Sequence, residues 1–165
     1  MKKSKEEQIR VLVSSHPFPP IEVVIPILEK AGRGEKELSS QTYETGVILA
    51  NGLKEILRLN EKNIKTAAKV FGVLLSAYAQ KFEPAELSES QFFLTVSDCP
   101  MMHVGKDLSI SVKSKYCDLV CSAGAKSIAD TILGPESTAY WDKALIKGAG
   151  KCKVGFALGR KNESR

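Results

Sequence analysis

Apolar residues in the N-terminal half of the chain recur at the three- and four-residue spacing of amphipathic helices. The clearest run extends from Ile64 to Phe82, with Asn60 as the expected N-cap and Pro84 as the residue that ends the helix. Because this run is apolar along one face, it predicts a helix that packs on a core. Three other segments show the same spacing, namely residues 5–14, 21–28 and 42–58.

Prolines and polar residues separate these predicted helices. Residues 16–20 include three prolines, whose missing amide hydrogens exclude a regular helix. Pro26 is expected to kink the helix that follows, and Gly32 to cap its C-terminus. The polar, glycine-containing segment 32–42 predicts a loop.

The period of the apolar positions changes after Pro84. Four segments are predicted strands, namely residues 92–96, 108–112, 138–146 and 152–158. Residues 116–133 return to helical spacing, and Gly134 and Pro135 end that helix. Because neighbouring strands are joined by short links, the sheet should be antiparallel. The predicted fold class is α+β, with a helical N-terminal half packed on an antiparallel sheet and a cysteine-bearing helix.

Length and composition fit a single domain. The chain has 165 residues, of which 1–88 form the mainly helical part and 90–158 the part with the sheet. No apolar run approaches the ~20 residues that span a bilayer. No apolar segment follows the lysines at the N-terminus, so no secretory signal is recognised. We therefore expect a cytoplasmic protein with no membrane partner.

Positive charge is concentrated near the C-terminus. The net charge is +5, and residues 143–165 carry seven basic residues against one acidic residue. Such a segment can contact nucleic acid or a membrane surface. Because no series of aromatic residues interleaves with these charges to stack on bases, we expect a solvated surface and no nucleic-acid partner.

All four cysteines lie in the second half of the chain. Cys99 follows a predicted strand, Cys117 and Cys121 are one turn apart on the predicted helix, and Cys152 begins the last strand. Zinc prefers thiolate and imidazole ligands in four-coordinate geometry. The four cysteines are therefore candidate zinc ligands, and His103 is a substitute if one of them is not used.

Other roles for these cysteines remain open. Asp98 is a further substitute ligand in the same loop as Cys99. Free cysteines are often buried as small hydrophobic residues, and Cys117 and Cys121 lie on the apolar face of their helix. A redox or catalytic thiolate is another alternative. Disulfides are not expected in a cytosolic chain.

Three segments around the cysteines resemble the 4-vinyl-reductase domain, which binds hydrocarbons and other small molecules. They are residues 95–100, 116–124 and 146–156. The shared pattern is a cysteine after a strand, a cysteine-bearing helix with a glycine, and a closing Gly-x-x-x-Cys-x-x-x-Phe strand. Cys99, Gly124 and the segment Gly148–Phe156 match its parts. The resemblance covers about residues 90–158.

This resemblance implies an α+β ligand-binding fold that is usually dimeric, a zinc ion held largely by cysteines, and an apolar pocket between the helices and the sheet. The residues expected to line that pocket are Phe71, Leu75, Tyr78, Phe92 and Phe156. The expected function is non-enzymatic binding of a small apolar or aromatic ligand by a homodimer. The expected ligands of its structural zinc are Cys99, Cys117, Cys121 and Cys152.

Two alternative functions remain open. Hydrolases of 2-amino-thiazoline-4-carboxylate have a similar cysteine-containing C-terminal half, and that similarity would make the chain an enzyme. Its nucleophile would be Cys99, with His103 nearby. The other alternative is an assembly module that binds no ligand and uses its apolar helix faces to dimerise.

Overall fold

The N-terminal half of the protein is helical and the C-terminal half contains the sheet. The computed structural model describes residues 3–30, 34–78, 80–99, 103 and 107–159. The helices of the first half are α1 Lys5–Ser15, α2 Ile21–Glu29, α3 Glu35–Leu57 and α4 Ile64–Ala77. The elements of the second half are β1 Lys81–Leu87, β2 Gln91–Asp98, α5 Ile110–Tyr116, the π-helical segment Cys117–Ser122, α6 Ala123–Leu133, β3 Thr138–Trp141, the 3₁₀ turn Leu145–Lys147 and β4 Cys152–Ala157.

The four described strands form one antiparallel sheet in the order β1-β2-β4-β3. The central pair sets Phe92 opposite Phe156 and Val96 opposite Cys152. The predicted α+β class is confirmed. The predicted order β-β-α-β-β also describes the second half, but its first strand is β1, which was not predicted, and the strand predicted over residues 108–112 is not formed.

One face of the sheet packs against the helices. Phe92, Leu94 and Val96 alternate with less buried residues along β2, as expected for a strand with one face on a core. They join a cluster that includes Val70 of α4 and Ile128 of α6. The helices α4 and α6 therefore form a layer over the sheet, α3 packs against α6, and this layer carries one wall of the site described below.

The predicted loop over residues 32–42 is wrong from Glu35 onward, where α3 begins. The first turns of α3 have a narrow buried stripe at four-residue spacing, formed by Leu38, Thr42 and Gly46. The Thr42 hydroxyl donates to the Leu38 carbonyl at 2.8 Å, so a polar residue is buried with its hydrogen bond satisfied. The expected cap Gly32 lies outside the described residues.

The helix predicted from Asn60 to Phe82 is shorter at both ends. Asn63 is the N-cap of α4, and its side chain accepts the Thr66 amide hydrogen at 2.9 Å. Phe82 lies on β1, a strand that the sequence pattern did not indicate. Pro84 is inside this strand, where a missing amide hydrogen is tolerated because β1 is at the edge of the sheet and is irregular after Pro84.

The predicted strand over residues 108–112 is also wrong, because α5 begins at Ile110. The Ser109 side chain caps this helix by accepting the Val112 amide hydrogen at 3.3 Å. The predicted strand 138–146 ends at Trp141. Lys143 has a left-handed backbone conformation with φ of 56°, which takes the chain out of the sheet.

Within the described residues, no helix combines the length and the apolar character that crossing a membrane requires.

Candidate functional site: an apolar cavity lined by four thiols

An apolar cavity of about 300 Å³ lies between the helical layer and one end of the sheet. α4 contributes Phe71 and Leu75, and α6 contributes Ile128. Trp141 at the end of β3 and Ile146 in the 3₁₀ turn complete the apolar wall. A volume of this size is at the lower end of the range for small-molecule sites.

A strap formed by residues 16–20, between α1 and α2, also borders the cavity. The Phe18 amide donates to the Tyr78 hydroxyl at 3.1 Å, and the two rings lie 5.5 Å apart between centroids. Phe18 also packs on Gly124 of α6, where an added Cβ would lie 3.0 Å from the Phe18 ring. Gly124 therefore leaves room for the strap to lie against the cysteine-bearing part of the fold.

Three of the five residues expected to form a pocket line this cavity, namely Phe71, Leu75 and Tyr78. Phe92 and Phe156 belong to the packed cluster beside it. The Phe156 ring meets the Phe71 ring edge-on at 4.8 Å between centroids, which fills the space that a pocket would need there.

Sequence reasoning missed the contributions of the strap and of Tyr116 to the wall. A short proline-rich segment with an aromatic residue, between two helices, was the available signal for the strap. No signal in the pattern pointed to Tyr116, because it precedes Cys117 at a position predicted only as helical.

All four cysteines line the cavity. Cys117 and Cys152 are buried, whereas Cys99 and Cys121 are half-buried. The topology explains this meeting, because the end of β2, the start of β4 and the helix between β2 and β3 come to the same end of the sheet. Elements far apart along the chain thus bring their cysteines to one cavity.

Cys117 and Cys121 lie one turn apart on the π-helical segment. A π-helix closes its hydrogen bonds over five residues, is rare, and is often found at functional sites. The interaction between the two side chains lowers the pKa of Cys117 and raises the pKa of Cys121.

Burial and charge modify these pKa values further. Burial raises the pKa of Cys121 further. Burial also opposes the lowering of the pKa of Cys117, whereas the positive charge of Lys143 contributes to that lowering. Burial raises the pKa of Cys152 to about 11, although the Leu145 amide donates to its sulfur at 3.1 Å and opposes the shift. Burial also raises the pKa of Tyr116, and charges on three of the cysteines add to that effect.

Lys143 is held beside the π-helical segment by two contacts. Its ammonium group lies 2.5 Å from a carboxylate oxygen of Asp118 and donates to the Ser114 hydroxyl at 3.3 Å. The left-handed backbone at Lys143 turns its side chain toward the helix that carries Cys117. A fixed positive charge therefore stands close to one of the thiols.

The arrangement of the cysteines and of the substitute ligands bears on the predicted zinc site. Thiols suit zinc chemically. Within the described residues, however, no group of three or more His, Cys, Asp or Glu side chains is arranged to hold a metal ion. The substitutes Asp98 and His103 are 2.5 Å from each other, and the His103 side chain is exposed. Zinc therefore stays a prediction, and the function proposed below does not depend on it.

The hydrolase alternative requires a base beside a thiol. The chain has two histidines, His16 and His103, and neither is among the residues that line the cavity, whereas Cys99 is. No observation favours this alternative, which stays a prediction.

The fold and the cavity define a class: an α+β protein with a small apolar cavity and thiols in its wall. Comparisons with models of protein families, with curated proteins and with solved structures found no match to this chain. Membership of the 4-vinyl-reductase family therefore stays a prediction.

Proposed function

We propose that this protein binds one small apolar or aromatic molecule in the cavity. The observation that supports this proposal most strongly is an apolar space of about 300 Å³ in a core that is otherwise closely packed. Empty apolar space forfeits packing energy, and an apolar cavity of about 150 Å³ in another protein is known to bind benzene. A one-ring hydrocarbon would therefore fit here and would recover lost contacts.

One polar group in the wall narrows the class of ligand. Gln80 lines the cavity, and its Oε1 is buried with no hydrogen-bond partner in the described part of the chain. An unpaired buried carbonyl costs about 1–3 kcal/mol. A ligand with one hydroxyl or N–H group would satisfy this oxygen, so the proposed ligand is apolar with a single hydrogen-bond donor.

Calorimetric titration with p-xylene and p-cresol tests this proposal, because the two probes have nearly the same shape and differ in one hydroxyl group. We expect saturable binding of both, with p-cresol tighter. Val120→Phe should abolish binding, because Val120 lines the cavity and a larger side chain would fill it. Leu119→Phe is the matched control, because Leu119 is on the same segment but is not among the lining residues.

The titration can contradict the proposal in two ways. Failure of both probes to bind the unmodified protein would contradict it, and so would equal loss of binding in the two variants. Thermal melting of each variant checks that it is folded.

The predicted zinc and the predicted homodimer are tested separately. Elemental analysis of the purified protein tests the first, and one zinc per chain held by the four cysteines would exclude the free dithiol proposed below. Light scattering during size-exclusion chromatography tests the second, with twice the 18.0 kDa chain mass expected.

A further inference from the structure

We propose that Cys117 and Cys121 are a redox-active dithiol that reduces an apolar organic hydroperoxide in the cavity and closes to a disulfide. Two observations point to this pair. Both side chains line the cavity, and they lie one turn apart on the π-helical segment.

The π-helical segment matters because of disulfide geometry. On a regular α-helix, the Cβ atoms of residues i and i+4 are about 5–6 Å apart. A disulfide needs them about 3.5–4.5 Å apart. The turn of a π-helix is wider and rises less per residue than that of an α-helix, so position i+4 lies more nearly above position i. The backbone is therefore already displaced toward the geometry that a disulfide between Cys117 and Cys121 requires.

The other two cysteines are placed less favourably for this chemistry. Cys152 is on β4, and its sulfur accepts the Leu145 amide hydrogen. Cys99 follows β2, on a different element from the π-helical segment. A disulfide to either residue would have to join two elements, whereas Cys117 and Cys121 are within one helical turn.

The wall of the cavity selects the class of oxidant. The side chains that line the cavity together with the thiols include Phe71, Leu75 and Trp141. An organic hydroperoxide with an apolar body gains free energy when that body leaves water for such a wall, whereas hydrogen peroxide has no apolar body to bury. This part of the inference rests on the proposed function, because it uses the same cavity.

The reaction balances with the hydroperoxide as the only oxidant. The thiolate of Cys117 attacks the terminal oxygen, the O–O bond breaks, and the alkoxide leaves and takes up the proton that Cys117 gave up. Cys117 is then a sulfenic acid. The sulfur of Cys121 attacks the Cys117 sulfur, an S–S bond forms, and hydroxide leaves with the Cys121 proton as water. Two thiols lose two electrons and two hydrogens, and the hydroperoxide becomes an alcohol and water.

The experiment treats the reduced full-length protein with one equivalent of cumene hydroperoxide or hydrogen peroxide and follows its intact mass. We expect a loss of two hydrogens, mapped by peptide analysis to Cys117 and Cys121, and roughly tenfold or faster reaction with cumene hydroperoxide. Cys117→Ser and Cys121→Ser should not form the disulfide. Ser122→Ala is the control and should form it at the unmodified rate, because Ser122 is on the π-helical segment but is not among the lining residues.

Several results would overturn the inference: no disulfide in the unmodified protein, a disulfide that includes Cys99 or Cys152, oxidation beyond the disulfide, or equal rates with the two peroxides. The mapping in the unmodified protein does not depend on whether a variant folds. Failure of p-xylene to bind would contradict the proposed function. The formation of the disulfide is measured separately, from the loss of two hydrogens in the intact mass.

Discussion

The two ends of the layer between the helices and the sheet are filled differently. At one end, Phe156 meets Phe71 edge-on at 4.8 Å and lies 6.2 Å from Phe92 between ring centroids. At the other end, α4 and α6 border a cavity of about 300 Å³ whose wall includes Cys117 and Cys121. The same helices thus pack closely against the sheet at the aromatic end and leave a cavity at the thiol end.

Two glycines show the same contrast at the level of single atoms. A Cβ at Gly46 would lie 1.8 Å from the Ser127 hydroxyl oxygen, so Gly46 allows α3 and α6 to pack closely. A Cβ at Gly124 would lie 3.0 Å from the ring of Phe18, so Gly124 instead accommodates the strap. One glycine serves a helix contact in the core, and the other serves the border of the cavity.

The largest effect is expected from truncating the aromatic end. Phe156→Ala should lower the free energy of unfolding by about 3–5 kcal/mol, because it removes a fully buried ring from a packed cluster. Leu75→Ala, at the cavity wall, should cost about 2 kcal/mol, the lower end of the usual range, because fewer packed neighbours are lost. Urea denaturation measures both values.

Equal losses of unfolding free energy in these two variants would contradict the claim that the aromatic end is packed more closely than the thiol end. A greater loss for Leu75→Ala would indicate that the thiol end is the more closely packed one.

The glycine pair should separate stability from ligand binding. Gly46→Ala should destabilise the protein by about 1–3 kcal/mol through overpacking and leave the affinity for p-xylene unchanged in the folded fraction. Gly124→Ala should destabilise it less, because the ring of Phe18 can move by a few tenths of an ångström. It should change the association rate of p-xylene, because the strap borders the cavity. Denaturation and stopped-flow binding measure the two effects.

Unchanged ligand kinetics in Gly124→Ala, with a large loss of stability, would show that the strap acts only as packing.

A smaller effect is expected at Gln80. Gln80→Leu should weaken the binding of p-cresol by about 0.5–1.5 kcal/mol, because it removes the acceptor for the ligand hydroxyl. The affinity for p-xylene should not fall, since that probe donates no hydrogen bond. Equal loss for both probes in calorimetry would assign Gln80 a role in shaping the cavity instead.

A further effect is a dependence of stability on alkaline pH. Burial raises the pKa of Cys152 to about 11, above the ordinary value of 9.0 that applies to the unfolded chain. The folded state then retains a proton that the unfolded state loses, so the free energy of unfolding should fall as the pH rises from about 9 to about 11. The raised pKa of Cys121 acts in the same direction.

Cys152→Ser removes one of these titrating groups. Its stability should therefore fall less steeply over the same interval when urea denaturation is repeated across it. An identical slope in the variant and the unmodified protein would exclude the contribution of Cys152.

The sequence predicted the elements that have strong periodic patterns and missed those decided by local hydrogen bonds. The helix around Val70 and the strand from Phe92 to Val96 followed from spacing alone. The alternation of Leu108, Ile110 and Val112 favoured a strand, but the cap supplied by Ser109 and the exposure of Ile110 accompany a helix there.

The candidate site was predictable in its chemistry and less so in its shape. The positions of the cysteines in the sequence permitted the thiols to meet, and all four do line one cavity. The position of the cavity could not be predicted, because whether Phe71 packs against Phe156 or leaves space depends on distances between layers. The π-helical turn at Cys117 has no counterpart in the spacing of apolar residues.

The most direct test of the account uses the fluorescence of Trp141, the single tryptophan of the chain, which lines the cavity. Titration with p-xylene should change its emission saturably, with one molecule bound per chain, and Val120→Phe should abolish that change. Emission that stays constant, or that drifts without saturation in both proteins, would contradict the claim that this cavity is a binding site.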